Sequence, residues 1–280
     1  MTRSGGLTVT EAASAEPAVA LLSEEWQAIA HLGAAIDDKD WDLPSECPGW
    51  SVKDLVSHMI GTERSLMGEP APFEAPPAEH VRNPVGAANE AWVAARRAVP
   101  APDVLAEFSD VTGRRLEQLR KMPPGRWEEV GPSPVGQVPY REFMAVRAMD
   151  CWVHEQDMRI ATGRPGHMDG PVAELAMRRI ASAMPYVVAK KAAAADGSVV
   201  RFELLKSPIA QVGVVVRHGR GTSQDDVADP TAEIQMDAEL FWRLGCGRVS
   251  GDAALDAGIV GLRGDLDLAA RVVRNMAFMI

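Results

Sequence analysis

The sequence has few of the features that mark a secreted or disulfide-stabilised protein. Only three cysteines occur among its 280 residues, at Cys47, Cys151 and Cys246. Their odd number and wide spacing argue against a disulfide framework and favour a reducing compartment. The N-terminal stretch also lacks the apolar segment that a secretory signal requires. We therefore expect a cytoplasmic protein.

Long apolar runs and basic stretches are also missing. The apolar segment at 180–189 falls far short of the roughly 18 residues that a membrane-spanning helix needs. Lysine and arginine number 29 against 39 aspartate and glutamate residues, which gives a net charge of −10. An acidic surface repels phosphate backbones and anionic lipids, so we expect neither nucleic acid nor a membrane as a partner.

The short motifs of several common enzyme classes do not occur. The chain contains no G-x-S-x-G turn, no P-loop, no G-x-G-x-x-G fingerprint and no C-x-x-C pair. Each of these patterns carries a defined chemistry, so their absence argues against the common hydrolase, nucleotide-binding and thioredoxin-type functions.

Helical patterns fill the first two thirds of the chain. Apolar residues recur at helical spacing and proline-rich segments separate them. Ser51 followed by Asp54 is typical of a helix N-terminus, and Gly163 stands where a helix C-terminus favours glycine. The predicted helices span residues 11–35, 51–67, 84–98, 103–121, 140–162 and 171–191, the last broken at Pro185. Residues 68–81 and 123–139 are predicted as loops.

The pattern changes after Ala195. Runs rich in Val, Ile and Phe predict strands at 199–205, 211–219 and 231–237, and helices are predicted at 238–247 and 265–276. The sequence thus predicts an α domain followed by an α/β domain. We place a four-helix bundle at 10–165, a connecting helix at 166–184 and a small α/β domain at 185–280.

One helix carries a pattern that points to metal chemistry. Asp150 and His154 are four residues apart and share a helix face, with Asp157 close to the same stripe. A carboxylate and an imidazole that face a bundle core are costly unless something satisfies them, and a divalent ion would do so. His58, on the apolar face of the second helix, could supply a third ligand. Three protein ligands with an open position are typical of catalytic zinc. Spacing alone leaves open a simple hydrogen-bonded His–Asp pair.

The other polar candidates are assigned lesser roles. Cys47 lies in the turn Glu-Cys-Pro-Gly-Trp, where a buried small hydrophobe is more typical than a ligand. Glu63 falls off the face of His58 and receives no role, and Glu155 and Gln156 are predicted to face solvent. The remaining histidines lack partner spacing and are predicted at the surface or in loops: His31, His80, His167 and His218.

Two segments resemble a known family. Residues 41–67, WDLPSECPGWSVKDLVSHMIGTERSLM, and 147–166, RAMDCWVHEQDMRIATGRPG, are similar to the mycothiol-dependent maleylpyruvate isomerases, DinB-like metal-binding bundles of actinobacteria. Residues 261–278 resemble that family's sterol-carrier-like α/β domain. The resemblance implies that zinc or a related divalent ion is bound by His58, Asp150 and His154. The isomerases carry glutamate where this chain has Asp150.

The resemblance also implies the chemistry. The thiol would be mycothiol, held as a thiolate by the metal, and the substrate would be a small electrophilic or unsaturated molecule. A thiolate that adds and leaves again makes an isomerase, whereas one that stays attached makes an S-transferase. Two alternatives remain open: a non-catalytic protein that binds a small molecule or a metal, and a zinc hydrolase that uses metal-activated water.

Overall fold

The computed structural model describes residues 16–75 and 77–279, and it begins with a bundle of helices. The predicted start of the first helix at residue 11 lies outside the described residues. The bundle is built from α1 Pro17–Ala34, α2 Val52–Leu66, α3 Pro84–Ala94, α4 Ala101–Arg120 and α6 Tyr140–Thr162, with a single-turn helix α5 at Pro124–Trp127. Helix α1 packs against α4 and α6, and α2 packs against α3, α4 and α6.

The predicted helix ends are confirmed where their chemistry is strongest. The hydroxyl of Ser51 accepts a hydrogen bond from the backbone N–H of Asp54, and the Asp54 carboxylate accepts one from the N–H of Ser51. These two bonds satisfy N–H groups that the first turn of α2 leaves without partners. Gly163 ends α6 with φ of 65°, a left-handed conformation that favours glycine.

The prediction that residues 123–139 form a loop is wrong. This segment contains α5 and a two-stranded hairpin, β1 Val130–Ser133 and β2 Gly136–Pro139, which packs against the start of α6. Its prolines correctly excluded a long helix. The strands have only four residues each and are mostly exposed, so the sequence shows no alternation long enough to indicate them.

The predicted break at Pro185 is confirmed. Helix α7 spans Gly170–Ser182, and a new helical turn, α8, spans Met184–Tyr186. A π-helical turn follows at Val187–Lys191. Proline cannot donate the backbone hydrogen bond that would continue α7, but it fits the first turn of the next helix.

A five-stranded sheet forms the second part of the chain. Its strands are β3 Val199–Leu205, β4 Gln211–Arg217, β5 Arg220–Gln224, β6 Ala232–Asp237 and β7 Gly261–Gly264, in the order β5-β4-β3-β6-β7. Strands β3 and β6 are parallel and the other pairs are antiparallel. Helices α9 Ala238–Gly245, α10 Gly251–Asp256 and α11 Leu266–Arg274 complete this part.

Three elements of the second part lie outside the predicted ones. Strand β5 is a polar and largely exposed edge strand, and β7 has four residues of which two are glycine. Neither carries the β-branched pattern by which β3, β4 and β6 were predicted. Helix α10 has six residues, too few for a visible apolar period.

Helix α6 joins the two parts of the molecule. One hydrophobic core fills the bundle, and a second lies between the sheet and helices α7, α9 and α11. Residues of α6 enter both: Cys151 and Met158 lie in the bundle core, whereas Trp152 packs edge-on against Trp242 of α9 at 6.0 Å between ring centroids. Within the described residues, no helix is both long and apolar enough to cross a lipid bilayer.

Candidate metal centre

The three side chains predicted as metal ligands meet between α2 and α6. His58 projects from the middle of α2, and Asp150 and His154 lie one turn apart on α6. Each of the three offers a ligand atom within 4.8 Å of the other two. Both histidines are buried, and the Asp150 side chain is 25% exposed. The cluster therefore opens toward solvent on the side of the carboxylate.

The spacing of these atoms suits a shared ion better than hydrogen bonds. The Nε2 atom of His58 lies 3.6 Å from Oδ2 of Asp150, and Nε2 of His154 lies 3.7 Å from Oδ1. Both distances exceed those of ordinary hydrogen bonds. Zinc binds such ligands at about 2.0–2.1 Å, which sets tetrahedral ligand atoms roughly 3.3 Å apart. A donor set of two imidazoles and one carboxylate thus fits a divalent ion with a position left open.

The other nitrogen of His154 faces a second carboxylate. Its Nδ1 atom lies 3.3 Å from Oδ2 of Asp157, one turn further along α6. Asp157 also accepts two hydrogen bonds from Arg248, at 3.0 and 2.8 Å, and Arg248 follows α9 in the second part of the chain. Asp157 is therefore placed to hold the His154 ring by one nitrogen and leave Nε2 facing Asp150.

Cys47 lies closer to this centre than predicted. It is buried in the bundle core, as expected, but its sulfur donates to Oδ2 of Asp157 at 3.4 Å and lies 3.9 Å from Nδ1 of His154. This group faces the opposite edge of the imidazole from Asp150. Arg248 already neutralises Asp157 there, which disfavours a second cation on that side.

A buried chain of alternating charges supports Asp150. Arg147 donates to the Asp150 carboxylate and to Oε1 of Glu63, whose Oε2 accepts from Arg115 at 3.2 Å. Arg115 also donates to the hydroxyl of Tyr140. Glu63 is fully buried and links these two arginines, so the prediction that it has no role is wrong. Its partners lie on α4 and α6, so no spacing within α2 could reveal them.

An indole ring forms one wall of the centre. The ring centroids of Trp50 and His58 are 5.1 Å apart. The Trp50 Nε1 donates to the fully buried carboxylate of Glu90 at 2.9 Å, and Nε2 of His80 lies 2.9 Å from the same oxygen. The carboxylate of Glu90 thus holds the indole of Trp50 beside His58, and His80 has a partner that its sequence spacing does not suggest.

The turn before α2 needs glycine at one position. Gly49 has φ of 80°, and a Cβ atom there would meet Nδ1 of His80 at 2.4 Å. Glycine therefore lets His80 approach the turn closely and reach the carboxylate that holds Trp50.

The surroundings of the centre give the two histidines very different pKa values. Burial lowers the pKa of His58 to about 4, against the opposite influence of Asp150. Burial opposes protonation of His154 too, but the charge of Asp150 and the bond to Asp157 raise its pKa to about 10. Burial also opposes ionisation of Asp150, yet Arg147 and the imidazoles hold the pKa of its carboxyl well below the usual range. Without an ion, the pair of rings thus carries one positive charge at neutral pH, on the imidazolium of His154.

The prediction that Glu155 and Gln156 face solvent is wrong. Both are buried, because α1 and the segment between α6 and α7 cover that side of α6. Glu155 accepts two hydrogen bonds from Arg159, and its second oxygen lies 2.6 Å from Nδ1 of His167. His167 lies in a loop as predicted, but it has partners.

Similarity to known proteins agrees with this architecture. Residues 22–159 match the family described as mycothiol maleylpyruvate isomerase N-terminal domain. Two uncharacterized proteins of Mycobacterium tuberculosis strain H37Rv are 28% identical to the chain. For Rv0738 the match spans 144 residues, 51% of this chain and 65% of that protein; for Rv0036c it spans 153 residues, 52% and 57%. The chain thus covers less than two thirds of either relative.

Solved structures with the same fold extend over most of the chain. A crystal structure of the mycothiol-dependent maleylpyruvate isomerase superposes with a TM-score of 0.57 at 18% identity, over 87% of this chain and 93% of that chain. A histidine-to-alanine mutant of that isomerase superposes with a TM-score of 0.56 at 18% identity, over 91% of this chain and 95% of that chain. The predicted combination of a helical bundle and a small α/β domain is confirmed.

Proposed function

Residues 22–159 belong to the mycothiol maleylpyruvate isomerase N-terminal domain family, and from this we propose that the chain is a metal-dependent enzyme that uses mycothiol. In this proposal His58, Asp150 and His154 hold a divalent ion, most simply zinc. The reaction is the addition of the thiol to a small electrophilic or unsaturated substrate.

The observation that carries the proposal is the convergence of the three ligand atoms within the matched domain. His58 comes from α2 and the other two residues from α6, so the cluster depends on how these helices pack. It opens toward solvent at Asp150, where a cosubstrate could enter. When bound, the ion supplies the positive charge that favours a thiolate over a thiol.

The chain's own residues hold the site in shape. Arg147 fixes the Asp150 carboxylate, Asp157 fixes the ring of His154, and Trp50 covers the ring of His58. These contacts come from α6 and from the turn before α2, whose backbone is held by hydrogen bonds between Ser45 and Trp50 and between Trp50 and Cys47. Preorganised ligands of this kind lose little conformational entropy when an ion binds.

The nucleophile would come from the cosubstrate. Burial raises the pKa of Cys151, and it raises that of Cys246 to about 12, so neither thiol is a ready thiolate. A thiolate that adds to a conjugated double bond forms a C–S bond and leaves the electron pair on the conjugated carbonyl. Rotation about the new single bond and loss of the thiolate give the isomer. With a substrate that carries a leaving group, the C–S bond remains and the leaving group departs.

Activity assays test the proposal directly. Protein loaded with zinc is incubated with mycothiol and either maleylpyruvate or a chloroaromatic electrophile. The products are separated by liquid chromatography, which resolves isomers, and conjugates are identified by mass spectrometry. We expect either thiol-dependent conversion of maleylpyruvate to an isomer of unchanged mass or a thioether conjugate. The activity should be lost in His58→Ala and kept in His31→Ala, whose side chain is exposed on α1.

Two results would contradict the proposal. One is zinc-loaded protein that turns over neither substrate at any mycothiol concentration. The other is activity that survives both His58→Ala and His154→Ala. Hydrolysis without added thiol would instead support the use of metal-activated water.

A further inference from the structure

A second group of potential ligands lies on another side of α6. It consists of Glu25 from the middle of α1, Glu155 from α6 and His167 from the segment between α6 and α7. Each offers a ligand atom within 4.8 Å of the other two. Glu155 follows His154 directly, so its side chain leaves the helix about 100° away from the first centre.

Glu25 is the buried side chain in this group whose polar atoms lack partners. It is fully buried, and neither of its carboxylate oxygens has a hydrogen-bond partner among the described residues. Burial and the neighbouring charge of Glu155 raise the pKa of the Glu25 carboxyl well above its usual range, so its ionised form is unfavourable unless a cation binds it. Its Oε2 lies 3.8 Å from Nδ1 of His167, so the unpartnered group points into the cluster.

The other two side chains are already positioned by their neighbours. One oxygen of Glu155 accepts from Arg159 at 2.7 and 2.9 Å, and the second lies 2.6 Å from Nδ1 of His167, a hydrogen-bond distance. An ion bound between these two atoms would replace the shared proton and move them about 3.3 Å apart. The Nε2 atom of His167 faces Glu24 at 3.7 Å, so its Nδ1 atom is turned toward the two buried carboxylates. A carboxylate on the far nitrogen is the usual companion of a metal-binding histidine.

The backbone of His167 is also held in place. Its φ of 56° is left-handed, and its carbonyl oxygen accepts hydrogen bonds from Trp152 at 2.9 Å and Gln156 at 3.3 Å. Two side chains of α6 therefore anchor the loop at the residue whose imidazole faces the carboxylates.

From this geometry we propose a second cation site, formed by Glu25, Glu155 and His167 and separate from the centre at His58. Two carboxylates and one imidazole are a donor set for a first-row divalent ion such as Zn²⁺ or Mn²⁺, and the imidazole disfavours Mg²⁺ and Ca²⁺. The site ties α1 to α6 and to the loop that leads into α7.

Metal stoichiometry tests this site independently of the proposed function. Protein stripped with a chelator is dialysed against Zn²⁺, and bound zinc is measured by elemental analysis and by the zinc-induced rise in Tm. We expect two ions in the wild type, one in His58→Ala, one in Glu25→Gln and none in the double variant. Glu174→Gln, which removes an exposed carboxylate on α7, should keep two.

A second variant guards against a folding defect in Glu25→Gln. His167→Asn removes the imidazole but suits the left-handed backbone, because asparagine adopts that conformation readily. It should also reduce the count from two ions to one, with circular dichroism unchanged. Two ions in both Glu25→Gln and His167→Asn would overturn the second site, as would a His58→Ala chain that binds no zinc. A wild type whose single ion is lost in Glu25→Gln but kept in His58→Ala would support the second site and contradict the first.

Discussion

Asp157 contacts His154 on the edge of the imidazole that faces away from Asp150. Its Oδ2 atom lies 3.3 Å from Nδ1 of the ring, while Nε2 lies 3.7 Å from Oδ1 of Asp150. The two carboxylates of α6 therefore serve different nitrogens of one side chain. In the proposed centre Asp150 is a ligand, and Asp157 orients the histidine that binds beside it.

Asp157→Asn tests this division of roles. The amide keeps the size of the side chain but removes the charge that Nδ1 and Arg248 share. We expect zinc affinity, measured by competition with a chelator, to fall by about 10- to 100-fold. Asp252→Asn breaks an exposed aspartate–arginine pair on the surface and should leave the affinity unchanged. Equal affinities in the two variants would argue against an orienting role for Asp157.

We expect zinc binding to depend more on the charge of the side chain at position 150 than on its length. Asp150→Asn replaces an anionic ligand with a neutral amide and removes one of the two carboxylates that pair with Arg147, so zinc affinity should fall at least about tenfold. Asp150→Glu should keep the ion, because the partly exposed side chain has room for one more methylene on the solvent side. Full zinc occupancy in Asp150→Asn, together with loss in His58→Ala and His154→Ala, would show that Asp150 is not a ligand.

Zinc binding at the first centre should depend on pH through His154. Its pKa of about 10 in the metal-free protein means that an ion must displace a proton, whereas His58, with a pKa of about 4, is already neutral. Affinity should therefore rise with pH, by about tenfold per unit between pH 6 and 8. Calorimetry of Glu25→Gln in buffers of different ionisation enthalpy should report one proton released per ion. Affinity that does not change with pH would contradict a protonated His154.

Two glycines within helices should respond oppositely to alanine. A Cβ atom at Gly61 of α2 would lie 2.3 Å from Cβ and Cγ of Trp92 on α3, so Gly61→Ala should destabilise the protein by about 1–3 kcal/mol. Gly113 of α4 has open space around it, and Gly113→Ala should stabilise the protein by about 0.5–1 kcal/mol. Denaturant unfolding measures both. A stabilising Gly61→Ala would show that α2 and α3 pack less closely than described.

Much of the architecture could be predicted because its signals are local. Ser51 and Asp54 cap α2 through bonds within four residues, and Gly163 ends α6 through its own backbone conformation. The core strand β3 was predicted over the residues that form it, since its apolar side chains carry the pattern. The polar edge strand β5 was not, because partners stabilise it and its own composition does not indicate a strand.

In the candidate centre, too, some features follow from local sequence spacing and others only from the packing of helices. The spacing of Asp150 and His154 determined by itself that they share a face of α6, since residues four apart on a helix are neighbours. Only the tertiary structure decided that His58 of α2 lies opposite them, and that Arg248, 91 residues beyond Asp157, holds the carboxylate behind His154. It also buried Glu63, Glu155 and Glu25, whose positions in the sequence indicate no partners. The physical reason is that helical periodicity orders neighbours within one element, whereas the pairing of buried charges depends on which elements pack together.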